Sequence, residues 1–223
     1  MGTLLAEDLL LLLLDEQKGR LRTSYADTVL GGALLTELAL LGAVGVPEKT
    51  SVWRTAKVHA TGTRVEDPLL QEALDVVGRK ERSAEDLVTR LGKGRRDVLG
   101  QRLVERGILQ RRDTRVLGIF PGRRWPTLDP SHEQALRHSL GRVLVEGAEP
   151  DERTAALIAL LAAIDRAHKV VDHEGLSSRE VRRRAKQIAE GAWAAKAVRD
   201  AIAAATAATA GAVAATTAAT SSG

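Results

Sequence analysis

Apolar residues recur along most of this chain at helical spacing and give way to shorter extended patterns in only two places. Leu4, Leu5 and the run Leu9 to Leu14 come first. Glu7 and Asp8 split these leucines, Asp15 and Glu16 close the run, and no positively charged stretch precedes it. The run falls far short of the ~20 apolar residues that span a bilayer, so it predicts a buried helix ended near Lys18-Gly19, not a targeting or membrane segment. From Thr28 to Leu41, Leu30, Leu34, Leu35, Leu38 and Leu41 share one face of a second helix. Gly31 and Gly32 within it weaken helix propensity by about 1 kcal/mol each relative to Ala, which predicts close approach of another helix or of a ligand there.

Val52, Ala56, Val58 and Ala60 suggest a short strand or extended segment, closed by Thr61-Gly62-Thr63. Asp67-Pro68 opens a helix with Pro at an N1-like place and Leu69, Leu70, Ala73, Leu74 and Val77 facing inward. Ser83 with Asp86 gives a weaker capping signal before Leu87, Val88 and Leu91. The stretch Lys93 to Trp125 then reads as a helix carrying Leu99, Leu103 and Val104, an αL stop at Gly107, and two short strands joined by an apolar loop. Asp129-Pro130-Ser131 opens another helix, and Pro150-Asp151-Glu152 opens Thr154 to Ile164, apolar nearly all round and therefore expected to be central. Ser177 to Val198 is amphipathic, with Arg179, Arg182, Arg183, Arg184 and Lys186 crowded into its first half.

The pattern as a whole predicts a mainly α protein, a single compact helical domain over residues 1–200 with a protruding β-hairpin. Residues 201–223 are Ala and Thr with almost no bulky side chain, which predicts a helix end fraying into a partly disordered tail. Ala and Thr transfer too weakly to make that tail a membrane anchor.

Composition narrows the chemistry. Leu and Ala must carry the core, because the chain of 223 residues has only three Trp, one Tyr and one Phe. Trp53 and Trp193 read as packing residues. Cysteine is absent, which excludes disulfides, thiolate catalysis and cysteine-type zinc sites and fits a cytoplasmic protein. A formal charge of +4 is modest, so local clusters matter more than the total. Arg90, Lys93, Arg95, Arg96, Arg102, Arg106, Arg111, Arg112 and Arg115 face only Asp97, Glu105 and Asp113 in the same stretch, a balance suited to an anion.

Two anionic partners fit. A helix followed by LVERGIL and a charged hairpin is the pattern of a winged helix on DNA. It also suits an anionic membrane, and the apolar residues Val116, Leu117, Ile119, Phe120 and Trp125 tilt the choice, since an exposed apolar loop gains free energy in an acyl layer and little against phosphates. Self-association through the same hairpin is the competing use of those side chains.

The search for catalysis returns little. His59, His132, His138, His168 and His173 form no HExxH pattern and no GxSxG-linked triad. Asp165, His168 and Asp172 stand at i, i+3 and i+7, a spacing that would let one helical face hold a metal and equally describes a polar face. Gly92-Lys93-Gly94 lacks the spacing of a phosphate loop. No enzyme, cofactor or metal is expected.

Five segments in order, LLAEDLLLLLLDEQKGR, GGALLTELAL, DPLLQEAL, LVERGIL and PDERTAALIALL, resemble the Golgi phosphoprotein 3 (GPP34) family over roughly residues 3 to 200. Each alone is a generic helix pattern; their order and spacing carry the resemblance to what would be a bacterial member. The eukaryotic members are peripheral membrane proteins. The resemblance implies an almost all-helical domain whose β-hairpin stands beside a pocket for phosphatidylinositol 4-phosphate. Carried over by position, the headgroup contacts fall on Tyr25, Lys93 and Arg96, and a third basic position falls on Gly31. Loss of that base points to an anionic lipid headgroup more than to one named phosphoinositide. Leu117, Ile119, Phe120 and Trp125 become the membrane-inserting hairpin. The expected protein is cytoplasmic and reversibly associated with the inner face of the membrane; a protein cargo is a further partner, an adaptor that holds other proteins through the hairpin and the Arg182 to Arg184 cluster is a further alternative, and no specific nucleic acid is expected.

Overall fold

Residues 2–15, 17–45, 57–116 and 120–190 are described by a computed structural model. Helix α1 (Leu5–Leu13) begins where the Glu7 side chain accepts the Leu4 N–H at 2.7 Å, and every residue in it is buried. Helix α2 (Ala26–Leu40) runs against it and ends at Gly42, whose φ of 68° is the left-handed stop. Three very short strands, β1 (Val44–Gly45), β2 (Lys57–Ala60) and β3 (Arg82–Ser83), form an antiparallel sheet in the order β1-β2-β3, with Val44 opposite Ala60 and Val58 opposite Arg82. The expected extended segment is thus seen at its C-terminal part; residues 52–56, with Trp53, lie outside the described residues.

Helix α3 (Pro68–Gly78) starts as its sequence predicts, with Asp67 Oδ1 accepting the N–H groups of Leu69 and Leu70 at 2.9 and 3.3 Å. Ser83 Oγ accepts the Asp86 N–H at 3.2 Å and opens α4 (Ala84–Gly92). Helix α5 (Arg95–Glu105) follows directly and stops at Gly107 with φ 74°. Strands β4 (Arg112–Val116) and β5 (Phe120–Arg124) pair antiparallel, from Arg112 opposite Arg124 to Val116 opposite Phe120. Helices α6 (Ser131–Leu144), α7 (Glu152–Ala163) and α8 (Ser178–Ile188) complete the described chain, the last opened by a capping box between Ser177 and Glu180.

The fold is mainly α, with α1 and α2 at the centre: α1 packs on α2, α5, α6 and α7, and α2 also on α3 and α4. Gly31 and Gly92 explain how α2 and α4 come so close. A Cβ at 31 would drive into the Val88 carbonyl oxygen, and one at 92 into the carbonyl of Asp27. The expected close approach is therefore helix on helix, and position 31 has no room to present a side chain of any kind.

Three expectations change. Helix α7 buries Leu157 to Leu161, but its first turn is half exposed, so it lies beside α1 and α2 instead of between them. Asp165, His168 and Asp172 share no helix face, because α7 ends before Asp165, which has φ 53°, and His168 lies in a 3-10 turn (Ala167–Lys169). Helix α8 ends at Ile188, short of the expected Val198; residues from 191 on, with Trp193 and the tail, lie outside the described residues.

Candidate functional site

The nine bases between Arg90 and Arg115 are mostly committed within the chain. Arg90 pairs with Asp86 at 2.9 Å, and Arg95 grips Glu72 with two nitrogens at 2.9 and 2.8 Å. Arg102 turns inward to Glu7 at 2.8 Å and Asp67 at 2.5 Å; Arg106 reaches Glu7 at 3.6 Å and the Gly2 carbonyl at 3.1 Å. Arg111 pairs with Asp113 at 3.0 Å. Lys93 is exposed and has no partner among the described residues, and Arg96 has one long contact, 3.6 Å to Asp27, with both side chains about half exposed. The sequence count of nine against three thus overstates the open positive charge, since carboxylates outside the stretch neutralise much of it.

Lys93 and Arg96 owe their position to the Gly92 contact. Because Gly92 lies against the Asp27 carbonyl, the start of α2 sits beside the junction of α4 and α5. Tyr25 is the N-cap residue of α2 and is 36% exposed; Gly94, with φ 73°, is the N-cap residue of α5. Neither cap supplies a side-chain hydrogen bond, whereas Asp67, Ser83, Asp151 and Ser177 all do so for their helices. Two helix starts whose N-cap residues supply no side-chain hydrogen bond therefore meet where Lys93 and Arg96 are exposed. Free N–H groups and the positive end of the helix dipole both favour an anion.

The hairpin is tied to this region. Arg123 Nη1 donates to Asp97 Oδ2 at 2.7 Å, and the Trp125 ring lies over Gly100, where a Cβ would come within 2.7 Å of its Cε2. Positions 123 and 125 of the strand segment thus meet positions 97 and 100 of α5 in the same order. Trp125 itself is only 5% exposed, so it does not insert into a membrane with the hairpin. It anchors the base of the hairpin, because Gly100 leaves room for the indole and Gly19 lets the preceding loop close over the Trp125 backbone. Leu117 and Ile119 lie outside the described residues, and for Phe120 only its pairing with Val116 is described.

A second charged region escaped the sequence reading. Glu7, Asp8 and Glu37 are buried under Arg102, Arg106 and Arg153. Arg153 donates to Asp8 at 2.7 Å, to Glu37 at 2.8 Å and to the Thr3 carbonyl at 2.7 Å, while His132 Nε2 lies 2.7 Å from Asp8. Glu37 also accepts the Leu5 N–H. Burial raises the Glu37 pKa above its ordinary value, against the opposing effects of the Leu5 N–H and Arg153. Of the Arg182 to Arg184 cluster, Arg182 binds Asp165 at 2.9 Å and His168 at 3.0 Å, and Arg184 holds the carbonyls of Leu144 and Val145 at 3.1 and 2.7 Å. Two of its three members thus pin α8 to the domain. Burial, then Arg182, lowers the His168 pKa. Among the described residues no group of side chains is arranged to hold a metal ion, and no helix is long and apolar enough to cross a membrane.

The family model of Golgi phosphoprotein 3 (GPP34) matches residues 5–205, nearly the whole chain. The chain belongs to the GPP34 family. Comparison with curated proteins gave no match. Within this GPP34 protein, the leucine-rich opening of the family pattern is α1, its glycine pair lies in α2 with Gly31 against α4, and LVERGIL is the end of α5 with the turn that leads to the hairpin.

Proposed function

We propose that this GPP34 protein is a non-enzymatic peripheral membrane protein that binds an anionic phospholipid headgroup at Tyr25, Lys93 and Arg96, with phosphatidylinositol 4-phosphate as one candidate among such lipids. The observation that carries the reading is the coincidence of Lys93, without a partner among the described residues, and weakly held Arg96 with two helix starts whose N-cap residues supply no side-chain hydrogen bond. A headgroup phosphate is small enough to be met by a few bases and free N–H groups. A DNA duplex engages many phosphates, and an α5 whose Arg95, Arg102 and Arg106 are bound to Glu72 and Glu7 has few bases left for it. The lipid reading therefore ranks above the winged-helix reading.

The apolar tip residues Leu117, Ile119 and Phe120 supply the second half of the attachment by entering the acyl layer. A fully buried side chain of this size gains about 1.5–3 kcal/mol, too little alone for stable attachment and sufficient when joined to a basic site. The protein would then work at the cytoplasmic face of a membrane and leave it reversibly, with room for a protein cargo on its other surfaces.

Co-sedimentation of the wild type with phosphatidylcholine vesicles, plain and doped with phosphatidylglycerol or phosphatidylinositol 4-phosphate, tests the reading beside a shift assay on random duplex DNA. Binding to the anionic vesicles alone, with only weak DNA binding at physiological salt, supports it. Equal binding to plain vesicles, or nanomolar selection of a DNA sequence, contradicts it. Leu117→Asp with Phe120→Asp should release the protein from the anionic vesicles; retained binding with a change of oligomeric state in light scattering would make the tip an assembly contact.

A further inference from the structure

We infer that Arg123, on β5, is an additional headgroup-binding base, held beside the α5 start by Asp97 and handed to the lipid phosphate when the membrane is engaged. The inference rests on the headgroup reading above and adds a residue that the family resemblance does not supply.

Arg123 and Asp97 are both about half exposed, so their 2.7 Å ion pair lies at the surface, in contact with water, where such a pair contributes little to stability. Asp97 is in the first turn of α5, directly after Arg96, and that turn begins at Gly94, which supplies no side-chain cap. Arg123 thus reaches the rim of the proposed site from the hairpin side, while Arg96 reaches it from the helix and leans on Asp27 at 3.6 Å. The other acid near Arg123, Asp113, is its cross-strand partner in the hairpin, and its carboxylate is engaged by Arg111 at 3.0 Å. Asp97 is therefore the carboxylate that restrains Arg123. A lipid phosphate brought to the α5 start competes with it for the guanidinium and gains in addition from the positive end of the helix.

The arrangement would couple the two halves of membrane attachment. Trp125 fixes the base of β5 on Gly100, so a guanidinium drawn to a headgroup at the α5 start holds the strand at a set height above the bilayer. A headgroup contact by Arg123 would then help to set the depth at which the hairpin meets the membrane. Gly31 has no space for a base, and Arg123 comes from the hairpin instead of from α2.

The contact and a mere clamp between hairpin and helix predict opposite results for Asp97. Binding to phosphatidylcholine vesicles doped with phosphatidylglycerol is measured for the wild type, Asp97→Ala, Arg123→Ala, the double variant, Arg123→Lys and Lys93→Ala. One base near an anionic surface changes affinity about fivefold. Asp97→Ala should bind more tightly than the wild type, Arg123→Ala about fivefold more weakly, and the double variant about fivefold more weakly than Asp97→Ala; Arg123→Lys should keep most of the binding. If the ion pair only clamps the hairpin, Asp97→Ala and Arg123→Ala weaken binding alike. If Asp97→Ala and the double variant bind equally, Arg123 touches no headgroup. Either result, with Lys93→Ala impaired, overturns the role of Arg123 alone; Lys93→Ala binding like the wild type overturns the headgroup site, and a wild type that ignores the vesicles overturns both.

Discussion

Two charged regions of this protein are built from the same residue types and behave oppositely. Around α1, Glu7, Asp8 and Glu37 are buried, and each meets a guanidinium and a backbone or imidazole nitrogen. At the start of α5, Lys93 has no partner among the described residues, and Arg96 and Arg123 hold exposed carboxylates. The difference is one of solvent. Charges removed from water must be matched within the fold, so the α1 cluster locks α1, α2, α5 and α7 together. Charges left in water contribute little to stability, so the α5 start is free to serve a ligand.

Removing one cation from each region separates these roles most sharply. Arg153→Ala strips Asp8 and Glu37 of their shared guanidinium and should destabilise the fold by about 3 kcal/mol, read as a large drop in denaturant midpoint. Arg96→Ala should stay within about 0.5 kcal/mol of the wild type in the same titration. Equal losses in the two variants would erase the distinction.

Gly92→Ala probes the contact that positions the open region. Its methyl group would meet the Asp27 carbonyl, a backbone atom that cannot turn aside, so α2 and α4 must separate. Overpacking of this kind destabilises by about 1–3 kcal/mol. The variant should also weaken vesicle binding under conditions where it remains folded, since Tyr25 and Lys93 are carried by the two elements being forced apart.

The two regions also differ in how far the sequence exposes them. Helix starts such as Asp67-Pro68 and Ser83, the left-handed stop at Gly107 and the hairpin beyond it are set by neighbours in the chain, and each is found where its local pattern places it. The glycine at 31 signals close packing for the same reason. The fate of a charge has no such local mark. Glu7 and Asp8 look like polar interruptions of a leucine run, yet their partners Arg102, His132 and Arg153 come from α5, α6 and α7, far along the chain. Trp125, next to Pro126 in a basic hairpin, reads as a membrane anchor, and only the space over Gly100 reveals that the indole is buried. A tally of bases from Arg90 to Arg115 suggests an anion surface, but three-dimensional pairing is needed to separate Lys93 and Arg112, exposed and without a partner among the described residues, from the bases already held within the chain.

A smaller effect separates pH sensitivity from ligand binding. His168 has a folded pKa below its ordinary 6.5, so between those values the unfolded chain binds more protons than the folded one. Its contribution to stability is complete above about pH 6.5 and is lost as the pH falls through that window. His168→Gln should flatten this acid limb in a plot of melting temperature against pH; an unchanged limb would assign it to other groups. Smaller still in stability, but visible in binding, is Asp27→Asn, which frees Arg96 from its 3.6 Å contact. Vesicle affinity should rise by up to about fivefold, with the fold intact.

The central claim, that the start of α5 is the headgroup site, is tested most directly by reversing its two bases. Lys93→Glu with Arg96→Glu should abolish sedimentation with phosphatidylglycerol-doped vesicles, because attraction is lost and repulsion added at both positions, each lost base near an anionic surface being worth about 1 kcal/mol. The far-UV circular dichroism should match that of the wild type, since Lys93 is unpartnered among the described residues and Arg96 holds only an exposed, long contact. Undiminished vesicle binding by this folded double variant would contradict the account and move the lipid site elsewhere.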